Sequence, residues 1–315
     1  MMNRLLYSLL QTGLFVFIAP LFVGIVKMFK CWLQNRSAPS VFQCYRDLRK
    51  LFHKQTILAH HASWIFRFAP YLIFSITALI ASAIPFIVSP SQTVGFTDVI
   101  LIAGLFGLSR FFLALAALDI GTSFGGMGAS REMTVATLAE PALMIAFFSL
   151  AMMASSTRLD IITTYLSTHS LWFNPSMLFV ALAFAMIAVA ETGRIPVDNP
   201  ATHLELTMIH EAMILEYSGR HLALIEWAAQ IKLLIYTILF ANLFLPFPLI
   251  NQLSLSAIGL NGGIVIIKCL LLAWVLVLAE THLAKLRLFR VPLLLNMAFL
   301  LCLLGLLIHV IAEVA

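Results

Sequence analysis

The sequence predicts an all-α fold: a polytopic integral membrane helix bundle with about eight transmembrane helices. Hydrophobic residues make up 62% of the 315 residues and charged residues 10%, whereas soluble domains are about 45–50% apolar and about 25% charged. The chain also contains apolar runs long enough to cross roughly 30 Å of hydrocarbon. These runs lie near residues 5–27, 69–90, 98–118, 132–154, 172–190, 227–248, 262–280 and 291–312.

Lysine and arginine are distributed unequally over the connections between these runs. If the amino terminus lies outside, only Arg4 and Arg158 fall in outer connections. Inner connections of membrane proteins carry such an excess of basic residues, so the pattern predicts a multi-pass membrane protein with both termini on the outer side. The pI near 9.2 then reflects this bias and not nucleic-acid binding. The inner basic residues are Lys30, Arg36, Arg46, Arg49, Lys50, Lys54, Arg67, Arg131, Arg194, Arg220, Lys285, Arg287 and Arg290.

The chain is predicted to form a single integral membrane domain, residues 1–315. Its sizeable connections, about 28–68 and 191–226, both lie on the inner side. Four cysteines are scattered without a C-x-x-C pair, so neither an iron–sulfur cluster nor a structural zinc site is predicted. Any redox centre is therefore expected on a partner protein.

The first inner connection predicts an amphipathic interfacial helix after the first span. In the stretch from Asn35 to Gln55, apolar residues recur at helical spacing between basic ones, a pattern typical of a helix that lies along a membrane surface. Such a helix anchors the chain to anionic lipid, provides a platform for a peripheral subunit, or does both. The apolar positions are Val41, Tyr45, Leu48 and Phe52.

A glycine-rich stretch precedes the fourth span, which is predicted to begin at Ser130 or Arg131. Glu140 then lies nine residues into the span, ~13 Å along a helix, where an ionised carboxylate is costly without a cavity or a partner. Arg110 in the third span is its candidate partner. The two residues form either a buried pair that fixes packing or part of a proton or ion relay.

The second inner connection contains five of the 14 acidic residues of the chain within residues 190–219. Pro196 and Pro200 predict irregular backbone from Glu191, followed by a helix to about Tyr217 that ends at Gly219. On that helix Glu205 and Glu216 share one face about 16 Å apart. Such a row of carboxylates could pass protons, or the loop could simply be solvated. The five acids are Glu191, Asp198, Glu205, Glu211 and Glu216.

The motifs of these connections resemble those of a known family. "AETGRIPVDNPATHLEL" followed by "LEYSG" resembles the E-x-x-R-x-P-x-D…E…E-Y-S-G signature of the subunit-one family of the respiratory complex I membrane arm. This family includes the fourth subunit of formate hydrogenlyase and the membrane anchors of group 4 [NiFe] hydrogenases. "GASRE" and the basic loop around Tyr45 are similar to the same family, so the resemblance covers nearly the whole chain.

Within the family, "EYSGRHLALIEWAAQIK" looks like the hydrogenlyase branch. The complex I pattern has an acidic residue followed by an aromatic one where this chain has Ala229 and Gln230. This departure weighs against a bound quinone, although Glu226 could replace part of the missing charge.

The resemblance implies roles for particular residues. The five acids of the second inner connection, with Arg194, would line an inner cavity that begins a proton path, and Glu140 would continue this path into the membrane with Arg110. The hydrophilic [NiFe] and iron–sulfur subunits would dock at Arg36, Arg46, Asp47 and Lys50. No cofactor or metal is expected on this chain.

The leading hypothesis is therefore a non-catalytic, membrane-anchoring and proton-coupling subunit of a formate hydrogenlyase or group 4 hydrogenase-type complex. Its expected partners are hydrogenase-like large and small subunits, antiporter-like membrane subunits and lipid. The resemblance implies that it lies in a prokaryotic cytoplasmic (inner) membrane. Three alternatives remain: a quinone-site subunit of a complex I-like NADH dehydrogenase, a stand-alone ion transporter, and a scaffold that only anchors its partners. The transporter alternative is motivated by the charges predicted within spans, Arg110, Glu140, Lys232, Lys268 and Glu280.

Overall fold

The computed structural model describes residues 2–59, 61–85, 97–168, 174–198, 208–245 and 255–314. Within these ranges the secondary structure is helical, apart from an isolated bridge between Asp98 and Arg158. The helices are α1 Met2–Leu33, α2 Gln43–His53, α3 Trp64–Ala83, α4 Val99–Asp119, α5 Ser123–Met153, α6 Leu159–Thr168, α7 Pro175–Glu191, α8 His210–Ile214, α9 Gly219–Phe244, α10 Leu255–His282 and α11 Val291–Val314. A 3₁₀ turn at Leu288–Arg290 precedes α11.

The predicted membrane bundle of about eight helices is confirmed. In the described part of the chain, seven helices are long and apolar enough to cross a membrane: α1, α3, α4, α5, α9, α10 and α11. The eighth predicted span corresponds to α7, an apolar helix of 17 residues, which at 1.5 Å per residue is about 25 Å long. The chain is thus an integral membrane protein.

Helix α9 lies at the centre of the bundle and packs against α1, α3, α7 and α10. Its Tyr236 is 2% exposed and stacks on Phe106 of α4 with ring centroids 4.8 Å apart. Helix α11 returns to pack on α5 and α7, where Gly305 faces α7 so closely that a Cβ atom would lie 2.8 Å from Val180. Such small residues let helices approach each other where lipid supplies no hydrophobic drive for association.

The connections predicted to be inner meet at one end of the bundle, which we call the basic end. Its contacts link segments that are distant in sequence: Ser63 N donates to Asp119 Oδ2 at 2.9 Å, and Tyr217 OH donates to the carbonyl of Phe66 at 3.0 Å. Gly219 has φ +55°, and a Cβ atom there would meet the carbonyl oxygen of Gln55 at 2.8 Å. This junction therefore requires glycine.

Helix α2 confirms the amphipathic helix predicted in the first connection. Leu48, one of the predicted apolar positions, is buried. Cys44, which was not among those positions, is buried as well. Burial raises the pKa of the Cys44 thiol, which therefore stays protonated. The side chain of Phe52 is 41% exposed but reaches Trp227 of α9, with ring centroids 6.0 Å apart. The helix is thus attached to the bundle by its apolar side.

Two predicted helix boundaries are wrong. Helix α5 begins at Ser123 and not at Ser130 or Arg131, so Glu140 lies 17 residues from its start, about 26 Å along the axis. Thr122 caps the new start by accepting from Gly125 N, and Gly128 packs against α8, where a Cβ atom would lie 3.0 Å from Ala212. Gly125 and Gly128 therefore serve close packing within a helix, whereas Gly121, with φ +72°, lies in the turn before it.

The second error concerns the end of the acidic segment. The described helix there, α8, has five residues, and Gly219 begins α9 instead of ending a helix that reaches Tyr217. The irregular backbone predicted after Glu191 is present as far as Asp198. Helix α6 was not predicted, because its ten residues are too short to register as a membrane run.

Candidate functional site

A cluster of charged side chains lies inside the bundle where α4, α5, α7 and α9 meet. Arg110 is 4% exposed, and its Nε is 2.8 Å from Glu132 Oε1 while its Nη2 is 2.9 Å from Glu191 Oε2. These contacts are ion pairs by distance, but the N–H groups are not aligned for hydrogen bonds. Lys232 Nζ donates to the same Glu191 oxygen at 2.9 Å. We call Arg110, Glu132, Glu140, Glu191 and Lys232 the central cluster.

Glu140 belongs to this cluster but does not have the partner that the sequence predicted. Arg110 forms its ion pairs with Glu191 and Glu132 and acts on Glu140 only by longer-range attraction. Among the described residues, Glu140 has no ion pair or hydrogen bond. Its carboxylate lies against Gly107 of α4, where a Cβ atom would be 3.4 Å away. The helix pair α4 and α5 therefore provides space for this carboxylate but no counter-charge in direct contact.

A cavity of ≈ 420 Å³ opens beside Glu140. Glu191 also contributes to its wall, so the cavity connects the unpaired carboxylate with the paired one. The rest of the lining is apolar. It is formed by Ala103, Gly104, Phe106, Gly107, Leu108, Phe111, Leu143 and Met144.

The central cluster carries more acids than bases. Three carboxylates face two cations, so the cluster has one excess negative charge if every member is ionised. Carboxylates that share a low-dielectric site do not all ionise cheaply. The arrangement can therefore hold a proton whose position depends on small changes in the surrounding charges.

The predicted relay residues that lie in the described part of the acidic segment do not form one row. Glu191 ends α7 and joins the central cluster, whereas Asp198 is buried at the basic end. Glu211 lies in α8 and Glu216 in the turn that follows it, both half-buried. Glu205, like His203 and Pro200, lies outside the described residues.

Asp198 joins both sides of the acidic loop to the α10–α11 connection. Its Oδ1 is 2.9 Å from Lys285 Nζ, and its Oδ2 accepts from the backbone N–H groups of Ile209 and His210, each at 3.3 Å. Leu286 N also donates to the carbonyl of Pro196 at 2.9 Å. The residues on either side of 199–207 are thus held together by one carboxylate.

A second buried carboxylate continues this network. Glu280 near the end of α10 is 2.7 Å from Lys30 Nζ and 3.0 Å from Arg194 Nη1. Arg194 therefore supports Glu280, and only two residues separate it from Glu191 of the central cluster. We call Lys30, Arg194, Asp198, Glu280 and Lys285 the loop clamp.

Sequence reasoning did not single out Glu132 or Tyr236, and it noted Lys232 only as a charge within a span, in support of the transporter alternative. The hydroxyl of Tyr236 lies near Glu191 but has no aligned hydrogen-bond partner in the described chain. Glu132 is eight residues before Glu140, a spacing that places both near one face of a helix. Lys232 is a charge within an apolar span, itself a signal of function; Tyr236 gave no signal in the sequence.

The predicted docking residues lie on or beside α2. Arg36, Arg46 and Lys50 are exposed and Asp47 is half-buried. Asp47 accepts from Gln43 Nε2 at 3.0 Å, and Arg46 donates to the hydroxyl of Ser40. These residues form a basic surface around the start of the helix. Among the described residues no group of three or more side chains could hold a metal ion.

Taken together, the fold and the site define an integral membrane protein with an ionisable cluster in its centre and an ordered charge network at its basic end. The chain belongs to the NADH dehydrogenase family, whose pattern it matches over residues 6–311. The resemblance stated from the motifs is thereby confirmed.

The chain is most informatively compared with two proteins of Escherichia coli (strain K12). It is 34% identical to hydrogenase-4 component C over 281 residues, 89% of this chain and 88% of the relative. It is 31% identical to formate hydrogenlyase subunit 4 over 287 residues, 91% of this chain and 92% of the relative. A subunit of the NADH-quinone oxidoreductase of Carboxydothermus hydrogenoformans is 28% identical over 244 residues, 73% of this chain and 67% of that relative.

The fold is also shared with a chain of the membrane-bound sulfane sulfur reductase, an archaeal respiratory membrane complex. The match covers 96% of this chain and 98% of that chain with a TM-score of 0.81. Since the sequences are 18% identical, this likeness concerns the fold alone.

Proposed function

We propose that this chain is the membrane-anchoring and proton-coupling subunit of a formate hydrogenlyase or group 4 hydrogenase-type complex. Its higher identity to the hydrogenase-4 and formate hydrogenlyase components than to the quinone-linked relative supports this branch of the family. In this proposal the chain catalyses no reaction itself. The [NiFe] centre and iron–sulfur clusters belong to hydrophilic partner subunits, and antiporter-like membrane subunits receive the protonation change.

The observation that carries the coupling role is the excess carboxylate of the central cluster. Glu191 pairs with Arg110 and Lys232, while Glu140 has no direct counter-charge in the described chain. A charge change at the basic end would alter the field at Glu191 through Arg194 and its partner Glu280. About 1.4 kcal/mol accompanies each unit by which a neighbouring pKa shifts, so modest rearrangements of the loop clamp would redistribute the proton.

The basic surface around α2 is the proposed docking site for the hydrophilic arm, through Arg36, Arg46, Asp47 and Lys50. With the basic end on the cytoplasmic side, both termini lie outside, in agreement with the positive-inside rule. The same surface would contact anionic lipid where the docked subunits do not cover it.

The coupling role is tested by neutralising Glu140 in the assembled complex. Glu140→Gln keeps the side-chain shape but removes the titratable group, so proton-coupled turnover is expected to fall while assembly is retained. The control is Asp160→Asn, which neutralises an acid near Thr97 and Arg158 at the opposite end of the bundle. Normal coupling in Glu140→Gln would exclude the relay role.

A quinone-linked function is the second candidate, favoured by the 28% identity to a NADH-quinone oxidoreductase component. Inhibition of the complex by quinone analogues, or quinone bound to the purified complex, would establish it. Insensitivity to these compounds would leave the hydrogenase-type assignment.

A further inference from the structure

We propose that a transmembrane helix of a partner subunit covers the face of α4 and α5 around Glu140 and presents a basic side chain to its carboxylate. The inference rests on the proposed function in one respect, namely that the chain works within a membrane complex. It goes further by specifying where the partner helix sits and the chemistry of the residue it contributes.

The first observation is the position of the carboxylate. Glu140 is the eighteenth of the 31 residues of α5, near the middle of a helix long enough to cross the membrane. It lines a cavity whose rim includes Leu108 and Phe111 of α4, 43% and 50% exposed. The cavity therefore opens on the lipid-facing side of the bundle, at the depth of the membrane. Hydrocarbon there offers a carboxylate no hydrogen bond.

The second observation is that the described chain supplies no direct counter-charge. The two cations of the central cluster contact Glu191 and Glu132 instead. The groups that act on Glu140 from the packed elements are Arg110 of α4, Glu132 of its own helix, Glu191 of α7 and Lys232 of α9. One further positive charge at Glu140 would balance the cluster.

The third observation is the shape of the face. Ala103, Gly104 and Gly107 lie on the α4 side of the cavity, and no atom lies within 4 Å of where a Cβ atom of Gly104 would be. Small residues let another helix approach closely within a membrane. A volume of ≈ 420 Å³ accommodates a long side chain, so Lys, Arg or His from an adjacent helix fits both the space and the charge.

Photo-cross-linking in membranes that hold the whole complex tests this placement. A photoreactive residue replaces Phe111 in one variant and Trp274 of α10 in a matched control; both side chains are 50% exposed. The Phe111 variant is expected to capture a membrane-helix peptide of a partner subunit that contains Lys, Arg or His. The Trp274 control is expected to capture at least about threefold less of that peptide. A polar contact between membrane helices changes the association constant by about this factor.

Charge reversal identifies the contact. Combining the Phe111 cross-linker with Glu140→Gln should lower the yield about three- to tenfold, and exchanging the charges of Glu140→Lys and the partner's basic residue→Glu should restore it. Cross-links to lipid alone, to a helix without a basic residue, or equally from both positions would overturn the inference. Cross-linking needs no turnover, so its result is independent of the coupling assay. If Glu140→Gln abolishes coupling but leaves the cross-linking yield unchanged, only this inference is overturned.

Discussion

Glu191 is the residue on which the interior charges depend, because both Arg110 and Lys232 contact one of its oxygens. Replacing it with Gln leaves two cations against Glu132 and Glu140. Removing one partner of a buried ion pair costs about 3–5 kcal/mol, so Glu191→Gln should lower the thermal midpoint of the detergent-solubilised protein and reduce coupled turnover.

The matched comparison for Glu191→Gln is Arg158→Gln, which breaks an ion pair whose arginine side chain is 55% exposed. Asp160 is buried but keeps the hydroxyl of Thr97 as a hydrogen-bond donor, and an ion pair with a solvated arginine contributes less than a fully buried one. This variant should therefore lose less stability than Glu191→Gln. Equal losses in the two variants would contradict the structural role assigned to Glu191.

Tyr236 tests whether a group without charge takes part in the central cluster. Tyr236→Phe keeps the stacking on Phe106 and removes only the hydroxyl near Glu191. The hydroxyl has no aligned partner in the described chain, so the free energy of unfolding should change by less than about 1.5 kcal/mol. Coupled turnover should fall, and its solvent isotope effect should change if this hydroxyl passes a proton. Unchanged turnover would limit Tyr236 to packing.

Among helices, the α7–α11 contact depends on the absence of a side chain at Gly305. A Cβ atom there would lie 2.8 Å from Val180 and 2.9 Å from the carbonyl oxygen of Ser176, and a backbone carbonyl cannot move away cheaply. Gly305→Ala should therefore destabilise the protein by about 1–3 kcal/mol, measured by thermal unfolding in detergent.

Gly13→Ala in α1 is the control for Gly305→Ala, since nothing lies within 4 Å of its Cβ position. Alanine is favoured over glycine in a helix by about 1 kcal/mol, so this variant should be neutral or slightly more stable. Loss of stability in Gly13→Ala comparable to that of Gly305→Ala would mean that contact distance does not explain the effect.

The sequence predicted the membrane spans but not every helix boundary, because the spans depend on local composition and the boundaries depend on contacts between distant segments. Hydrophobicity and length alone locate a membrane span, so the eight spans were predictable. The start of α5 was not, because its first two turns are rich in glycine, and Gly128 packs against Ala212, a contact between distant segments that the sequence does not reveal. The same holds for Gly219, whose role depends on the carbonyl oxygen of Gln55.

For the charged residues too, the sequence predicted what depends on residue type and position, but not what depends on contacts between helices. Residue type and position within a span were sufficient to single out Arg110, Glu140 and Lys232. Which groups pair was not predictable, since the pairing of Arg110 with Glu191 depends on how α4 and α7 meet. Asp198 also illustrates this limit: its acidity suggested a relay, while its contacts with Lys285, Ile209 and His210 indicate a clamp.

At the level of the whole molecule, the loop clamp connects α1, α7, α8 and the α10–α11 connection into one basic end. Asp198→Asn removes the charge that holds Lys285 and weakens the acceptor for the N–H groups of Ile209 and His210. Hydrogen exchange at these two amides should accelerate about tenfold, the equivalent of ~1.4 kcal/mol, as measured by mass spectrometry of the complex.

Exchange across α6 is the internal reference for Asp198→Asn, because α6 packs on α5 and α9 at the opposite end of the bundle. It should stay unchanged, and a general increase would indicate global loosening instead of a local clamp. Unaltered exchange at Ile209 and His210 would show that Lys285 and the backbone hold the loop without the charge.

The ion pair between Lys30 and Glu280 joins residues 250 positions apart, which has a consequence for biogenesis. A chain is synthesised from its amino terminus, so Lys30 and Arg194 leave the ribosome well before their shared carboxylate. Both cations must remain hydrated at the membrane surface until α10 is inserted. The basic end is therefore completed only by the last helical hairpin, and a nascent chain that stops after α9 lacks the contacts that close it.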